Sequence, residues 1–360
     1  FNHASIGPIP DPVKKTIDDY LGVRNSGEIE DYQSLLDSTS RARIRLGKML
    51  NASAKEIAFA DSVSNGMSIL ANGIDWQKGD RVLLNDLEFP SNVYPFLNLK
   101  KLGVEVDFVK NRNGKIFYED IEAAITNRTK LISVSMVQFL TGQRMPVEEI
   151  GKLCKEKNII FSVDAIQTAG NTAIDVKKMN INYLVGGSHK WLMSLQGVTY
   201  IYFSPELMKN LDQKFVGWTS VKDAWNLTDY NLDFREDASR FMNGTFNAIG
   251  VTALEASLKF FESFGYEEIE RKVIQNSKYF FEELSRSSIK TVLDLKDEKD
   301  ISAIVSCRFN DPEEVFKKLK KENIKCARRE GLIRFAPHFY NTEEEIDQLG
   351  EQDLKYCLWL

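Results

Sequence analysis

The residue of this chain best suited to covalent chemistry is Lys190, which ends the sequence Gly-Gly-Ser-His-Lys at 186–190. An apolar run at 183–185 precedes this sequence, and another at 191–193 follows it. Apolar surroundings disfavour the charged ammonium, so the neutral, nucleophilic amine becomes accessible. Such an amine can form a Schiff base with an aldehyde. The sequence therefore predicts an aldehyde group held covalently at Lys190.

A second candidate, Asp164, stands at the end of the apolar run 159–163, which is typical of a buried strand. In open α/β sheets, ligands bind outside the carboxyl ends of the strands. A carboxylate there could keep a pyridine nitrogen protonated, which turns the ring into an electron sink. Alone, Lys190 also fits a surface lysine in a turn, and Asp164 fits a helix N-cap. Their joint placement favours a site for pyridoxal phosphate.

Two other classes of function compete with this interpretation. A serine hydrolase would need a Gly-x-Ser-x-Gly elbow, which the chain lacks, and the adjacent Ser-His pair at 188–189 has a poor geometry for a proton relay. A non-catalytic binding protein would have no need of a matched acid, amide, amine and guanidinium. That set is Asp164, Gln167, Lys190 and Arg334.

The bulk composition is that of an ordinary globular protein, with 43% hydrophobic and 28% charged residues. A net charge of -5 and the absence of a concentrated basic stripe argue against a nucleic-acid partner. No apolar run has the length of a membrane span, and no charged-then-apolar leader is visible. The cysteines are scattered without metal-site spacing, at Cys154, Cys307, Cys326 and Cys357. We therefore expect a cytoplasmic protein with reduced thiols, no metal site and no membrane contact.

The length predicts one large domain and one smaller domain. Between 56 and 203, short apolar runs alternate with amphipathic segments, which predicts a mainly parallel sheet covered on both faces. The predicted strands are 57–60, 81–84, 104–109, 131–135, 159–163, 183–185 and 199–203. The segment 212–245 lacks periodicity and is predicted to be a long functional loop. A smaller α+β unit follows, with helices at 249–264, 266–284, 311–321 and 342–358 and strands at 304–309 and 333–336.

In their order along the chain, these motifs resemble the class V aminotransferase family of fold-type I pyridoxal phosphate enzymes, in the branch that includes cysteine desulfurases and isopenicillin N epimerase-like proteins. The resemblance begins at Asn2-His3-Ala4 and reaches the run 341–347, so it covers nearly the whole chain. It implies an α/β fold with a mainly parallel seven-stranded sheet in a large domain, 15–248. It also implies a smaller α+β domain, formed by 1–14 and 249–360, and a homodimer with shared active sites.

The resemblance also implies roles in cofactor binding. Lys190 would carry pyridoxal phosphate, Asp164 would pair with the pyridine nitrogen and Gln167 would bond the phenolic oxygen. Phe89 takes the position where desulfurases place a histidine over the ring, and a phenyl ring can stack but cannot transfer protons. The phosphate would be held at a helix start, by a neighbouring imidazole and hydroxyl, and by the partner subunit. The residues implied there are Ser62, Val63, Ser64, Ser188, His189 and Thr245.

For the substrate, Arg334 matches the arginine that binds the α-carboxylate with its planar fork. Arg328 and Arg329 are weaker candidates for a second anionic group. His338 fits a structural role as well as a functional one. Further substrate-pocket candidates are His3, Gln138 and Trp218, together with Phe139, Trp225 and Tyr340.

The reaction implied by the resemblance begins with movement of the α-proton by Lys190. Transamination, racemisation or epimerisation, and β-elimination share this step, and transamination ranks first on the breadth of the family. Sulfur transfer is not expected, because Arg329 runs directly to Arg334 without a loop that carries a nucleophilic cysteine. Cys326 precedes this run in an apparent strand and is predicted to be an inert, buried thiol.

Overall fold

The computed structural model describes residues 1–27, 32–286, 289–294 and 300–349. Its helices are α1 Asp11–Asn25, α2 Tyr32–Leu50, α3 Val63–Gly73, α4 Tyr94–Leu97, α5 Tyr118–Ala124, α6 Val147–Glu156, α7 Pro205–Asn210, α8 Ala248–Glu262, α9 Tyr266–Arg286, α10 Pro312–Lys321 and α11 Glu343–Gln348. Its strands are β1 Ile57–Ala60, β2 Arg81–Asn85, β3 Glu105–Val109, β4 Thr129–Ser135, β5 Ile160–Asp164, β6 Tyr183–Gly187, β7 Thr199–Phe203, β8 Lys290–Thr291, β9 Val305–Arg308, β10 Ala327–Arg329 and β11 Leu332–Phe335. Every strand predicted between 56 and 203 is present.

The larger sheet has seven strands in the order β1-β7-β6-β5-β4-β2-β3. Neighbours from β3 to β6 run parallel, and β7 is antiparallel to both β6 and β1. Six strands therefore point in one direction. Strands β6 and β7 are buried at every residue, which explains their continuous apolar runs in the sequence. The predicted mainly parallel, seven-stranded sheet is confirmed.

The carboxyl-end edge of this sheet collects several polar residues. Asp61 and Ser62 follow β1, Asp164 ends β5, and the turn 188–190 follows β6. Because these three strands are parallel to one another, the residues that follow them meet at the same edge. Helix α3 also packs closely on β6, since a Cβ added at Gly66 would lie 2.9 Å from a methyl group of Val185.

The smaller sheet is antiparallel and has the order β10-β11-β9-β8. Its core includes Phe280 of α9, while α8 contributes Leu254 to the core of the large sheet. The change from the large-sheet core to the small-sheet core thus falls within α9. The predicted boundary between the two domains at residue 248 stays a prediction. The backbone N–H of Ala336, just after β11, donates to the carbonyl of Phe1 over 2.9 Å, which ties the N-terminal segment to the small sheet. The predicted helix 342–358 extends beyond the described residues after 349.

The segment 212–245, all of which is described, is irregular as predicted. It contains a single 3-10 turn at Ala238–Phe241 and an isolated bridge between Val221 and Phe234. Across the described ranges, no helix combines the length and the apolar character needed to cross a membrane.

Candidate active site

A cavity of about 450 Å³ opens at the carboxyl-end edge of the large sheet. This volume falls in the range of small-molecule sites. The large sheet, the small sheet and the N-terminal segment all contribute residues to its wall. The predicted site residues on the wall are Ser62, Val63, Ser64, Phe89, Phe139, Gln167, His189, Lys190, Arg329 and Arg334.

The turn that carries Lys190 is held from several sides. The N–H of Gly7 donates to the carbonyl of His189 over 2.9 Å. The Ser188 hydroxyl lies 2.9 Å from the Val198 carbonyl, so Ser188 braces the turn from inside and is fully buried. Gly170, with φ at +103°, passes so close that an added Cβ would lie 2.4 Å from the carbonyl oxygen of residue 191. The backbone around Lys190 therefore has little room to shift.

Lys190 and Asp164 form an electrostatic pair at this edge. Burial is the main reason that the pKa of Lys190 lies below its ordinary value, and the nearby charge of Arg334 lowers it further. Burial likewise raises the pKa of the Asp164 carboxyl, while a hydrogen bond from the Ile166 N–H opposes that rise. The attraction between Lys190 and Asp164 opposes both shifts. The site thus lowers the pKa of the Lys190 amine to about 8, beside an acid that is 2% exposed.

The start of α3 forms another part of the wall. Ser62 is the N-cap, and its hydroxyl accepts from the N–H of Asn65 over 3.2 Å. The hydroxyls of Ser64 and Ser91 are 2.9 Å apart. Burial, together with the charge of Lys190, lowers the pKa of His189 to about 4, so this imidazole is neutral at pH 7. Hydroxyls, a neutral imidazole and a helix N-terminus together make a set of hydrogen-bond donors suited to an anion.

Arg334 is a buried cation on the cavity wall. Its guanidinium donates to the Phe139 carbonyl over 2.6 Å and to the Ser5 hydroxyl over 3.0 Å. Its Nε is buried without a partner, and within the described ranges Arg334 makes no ion pair. Burial and the charge of Arg329 lower its pKa to about 10. A buried guanidinium without a counter-ion is suited to receive a carboxylate.

Phe89 projects an aromatic ring over this space. The ring is 45% exposed, and its centroid lies 6.0 Å from Lys190 Nζ and 5.2 Å from the ring of Phe139. The preceding residue, Glu88, is buried, and the predicted pocket residue Gln138 donates its amide to Glu88 over 3.0 Å. Because this bond turns its side chain to Glu88, Gln138 does not line the cavity.

The family model described as "Aminotransferase class-V" matches residues 6–349. The chain belongs to the class V aminotransferase family. Within this family, a probable cysteine desulfurase of Methanothermobacter thermautotrophicus is 28% identical, over 97% of this chain and 92% of its own length. The uncharacterized aminotransferase YcbU of Bacillus subtilis is 27% identical, over 94% of this chain and 89% of its own length.

The fold of this class V protein is shared by solved structures. The apo structure of a cysteine desulfurase from Thermococcus onnurineus NA1 is 24% identical and matches with a TM-score of 0.90, over 100% of this chain and 94% of its own. A mutant of C-DES with glycine covalently linked to its PLP cofactor is 22% identical and has a TM-score of 0.89, over 97% and 94% of the two chains. The fold is therefore fold type I, as predicted.

Class V enzymes depend on pyridoxal phosphate, and this chain is a pyridoxal-phosphate-dependent enzyme of that family. The cavity fits the cofactor on three counts. Asp164 is not on the wall itself, but it is a buried acid at the same strand edge whose charge interacts with that of Lys190, and Lys190 is an amine whose charged form burial disfavours. Hydroxyls and a helix N-terminus stand where a phosphate needs donors.

Several predicted residues lie away from the cavity wall. His3 has its ring 2.7 Å from the Ala336 carbonyl and contacts the Tyr340 hydroxyl. His338 is fully buried, its Nδ1 accepts from the Phe339 N–H, and its Nε2 therefore donates to the Trp191 carbonyl over 3.0 Å. Both of its ring nitrogens are thus engaged, and burial lowers its pKa to about 3. The structure gives His338 a place in packing next to the Lys190 turn.

The remaining candidates lie on other surfaces. Trp218 packs against Tyr32 and Trp225, with ring centroids 5.7 and 5.4 Å away, so aromatic packing takes it out of the cavity. Thr245 lines a neighbouring cavity of about 470 Å³, which shares Asp61 with the first. Thr245 is therefore not brought to the Lys190 cavity of its own chain.

Sequence reasoning missed Ser5, Asp61 and Ser91 on the cavity wall. Ser5 lies 329 residues from Arg334, and a single serine carries no pattern that would reveal such a contact. Asp61 lines the cavity, and its two carboxylate oxygens accept from the side-chain amide of Asn65. Its position directly after a predicted strand was a usable signal.

Proposed function

We propose that this enzyme is an aminotransferase in which Lys190 moves a proton at the α-carbon of an amino acid. The observation that carries the proposal is the composition of the cavity wall. Among the described residues that line it, Lys190 is the single amine, and burial disfavours its charged form. A neutral amine in that place is a base able to take a C–H proton and to return it.

The chain's own residues would hold pyridoxal phosphate in a defined orientation. The Asp164 carboxylate would bind the ring nitrogen, Gln167 the phenolic oxygen, and Phe89 would stack on the ring. The turn 62–64 and the neutral imidazole of His189 would donate hydrogen bonds to the phosphate. When bound, the cofactor supplies an electron sink that acidifies the C–H bond of the amino acid.

Arg334 would bind the substrate α-carboxylate. The Phe139 carbonyl and the Ser5 hydroxyl each accept one of its N–H groups, which fixes the plane of the guanidinium. A fixed plane lets the remaining donors meet both carboxylate oxygens at once. This geometry would orient the α-carbon toward Lys190.

The protonation state of His189 on the wall favours transamination over a β-elimination that uses a histidine acid. Transamination returns the proton to a second carbon, so one amine suffices. A two-base racemisation needs a second base, and a β-elimination needs an acid for the leaving group. Phe89 can serve as neither, and because burial lowers the pKa of His189 to about 4, this residue is not an imidazolium acid for a leaving group at pH 7.

The described cysteines support the expectation that this enzyme does not transfer sulfur. Cys154, Cys307 and Cys326 are buried, and burial raises the pKa of all three thiols, in the case of Cys326 to about 11. A thiol in that state is a poor nucleophile. Cys357 lies outside the described residues.

We also propose a cytoplasmic homodimer in which Thr245 reaches the cofactor phosphate of the neighbouring subunit. The support for a shared site is that Thr245 lines a cavity beside the Lys190 cavity, with Asp61 common to both. The free, buried thiols suit a reducing compartment.

A panel of amino acids in single-turnover experiments on the holoenzyme tests the proposed reaction. We expect the absorbance of the bound cofactor to change on mixing with a suitable amino donor, with one equivalent of the matching 2-oxo acid released. A 2-oxo acid should then restore the starting spectrum. Release of ammonia or sulfide, or loss of optical activity without 2-oxo acid, would contradict transamination.

A further inference from the structure

A second guanidinium on the cavity wall, that of Arg329, has no assigned partner. Arg329 ends β10 and lines the same cavity as Lys190 and Arg334. Within the described part of the chain it makes no ion pair. The neighbouring Arg328 does: it reaches Glu313 over 2.8 Å and does not line the cavity. Successive residues of β10 point to opposite faces of the strand, which is why Arg328 and Arg329 have different surroundings.

The register of β10 and β11 sets the two cavity arginines close together. Arg329 pairs with Leu332, and Ala327 pairs with Arg334. Arg329 and Arg334 are thus diagonal neighbours on one face of the hairpin, within reach of each other's long side chains. The connecting residues Glu330 and Gly331 have φ angles of +45° and +75°, as in a tight two-residue hairpin turn. Such a turn fixes the register and so fixes the spacing of the two arginines.

The cavity wall carries more positive than negative side chains. The positive charge of Arg329 lowers the pKa of both Lys190 and Arg334, so the three cations repel one another. Asp61 is the one acid among the described wall residues, and it is hydrogen-bonded to Asn65 at the start of α3. A single α-carboxylate on Arg334 would leave the guanidinium of Arg329 without an anion.

We propose that Arg329 binds the distal carboxylate of a dicarboxylic amino acid, of the aspartate or glutamate type, and of the corresponding 2-oxo acid. The proposal rests on the proposed aminotransferase function and deepens it by naming the substrate class. A planar guanidinium suits a carboxylate, which it can bind through two parallel hydrogen bonds. Arg334 and Arg329 then bind the two ends of one substrate.

The test compares Arg329→Gln with the matched control Arg328→Gln, which changes the adjacent arginine that points to Glu313. Glutamate, aspartate and alanine are each mixed with the holoenzyme, and kcat/KM is measured from the cofactor absorbance. We expect the wild type to prefer a dicarboxylate, and Arg329→Gln to lose on the order of 10²-fold with that substrate. Activity with alanine should change by less than about threefold in the same variant, and the control should match the wild type with every substrate.

An equal loss with alanine would overturn the proposal, since it would place Arg329 at the α-carboxylate. A wild-type preference for alanine, or no loss with either dicarboxylate, would overturn it as well. A second measurement tests the subsite independently of the proposed reaction. The binding of glutarate and of butyrate, which cannot react, is measured from the rise in Tm of the holoenzyme. If glutarate raises the Tm and butyrate does not, and if this rise is lost in Arg329→Gln, the subsite is supported even if no transamination occurs. No stabilisation of the wild type by glutarate contradicts it even if transamination is confirmed.

Discussion

Replacing Gly7 by alanine tests whether the N-terminal segment positions Lys190. The new Cβ would lie 2.2 Å from the carbonyl oxygen of Lys190 and 3.2 Å from Cγ of Met193. Ordinary contact begins near 3.4 Å, so one of the two backbones must move by about 1.2 Å. The nearest atom belongs to the backbone, so no side-chain rotation can relieve this clash.

The expected cost of Gly7→Ala has two parts. Overpacking of this kind costs about 1–3 kcal/mol in the free energy of unfolding. A displacement of about 1 Å at a reacting group can cost on the order of 10²-fold in activity. Because the hydrogen bond from the Gly7 N–H to the His189 carbonyl must also shift, we expect the loss in kcat to exceed what the fraction of unfolded protein explains.

The assay measures kcat, Tm and the cofactor content of Gly7→Ala beside Gly22→Ala. Gly22 lies in α1 with open space around its position, so its replacement should stabilise the helix by up to about 1 kcal/mol and leave activity unchanged. A Gly7→Ala enzyme with wild-type kcat would refute the idea that this contact positions Lys190. Equal losses in both variants would show an unspecific effect of the substitutions.

Three further outcomes follow from the site. Asp164→Asn should keep the fold, because an amide oxygen can still accept from the Ile166 N–H, yet lower kcat on the order of 10²-fold; wild-type kcat would contradict the role of the acid. Thr245→Ala should raise the Kd for pyridoxal phosphate at least severalfold, as measured by equilibrium dialysis, and an unchanged Kd would count against a shared site. The folded state holds His338 neutral down to about pH 3, so stability should be full above pH 6.5 and fall below it. Urea titrations between pH 6 and 4 give the free energy of unfolding as a function of pH. His338→Gln should reduce the slope of this function by about 1.4 kcal/mol per pH unit, and an identical slope in the variant would mean that His338 does not titrate on unfolding.

Much of the fold was readable from the sequence because buried parallel strands leave continuous apolar runs. Strand β6 is buried along its whole length, and its start at Tyr183 followed from its apolar residues, while its end at Gly187 lies two residues beyond the predicted run 183–185. The pairing of Asp164 with Lys190 was predictable for the same reason, since both residues come at the carboxyl ends of parallel strands. The division of the two cores was harder to predict, because α8 and α9 have similar helical patterns, yet α8 packs on the large-sheet core while α9 packs on both cores along its length.

The candidate pocket was predicted less well where tertiary packing decides the position of a side chain. Trp218 was expected near the substrate, but it packs on two other aromatic rings, which sequence spacing cannot reveal. Gln138 was expected on the pocket wall, but its side-chain amide donates to the buried carboxylate of Glu88. Ser5 and Arg334 meet across 329 residues, a contact that only the folded chain brings about.

Chemical trapping of the cofactor tests the central claim most directly. The holoenzyme is reduced with borohydride and digested, and the peptides are analysed by mass spectrometry. We predict that the reduced cofactor is attached to the peptide that contains Lys190, in a stoichiometry of one per chain, and that Lys190→Ala abolishes the attachment. Cofactor attached to a different lysine, or a protein that binds pyridoxal phosphate without any attachment, would contradict the account.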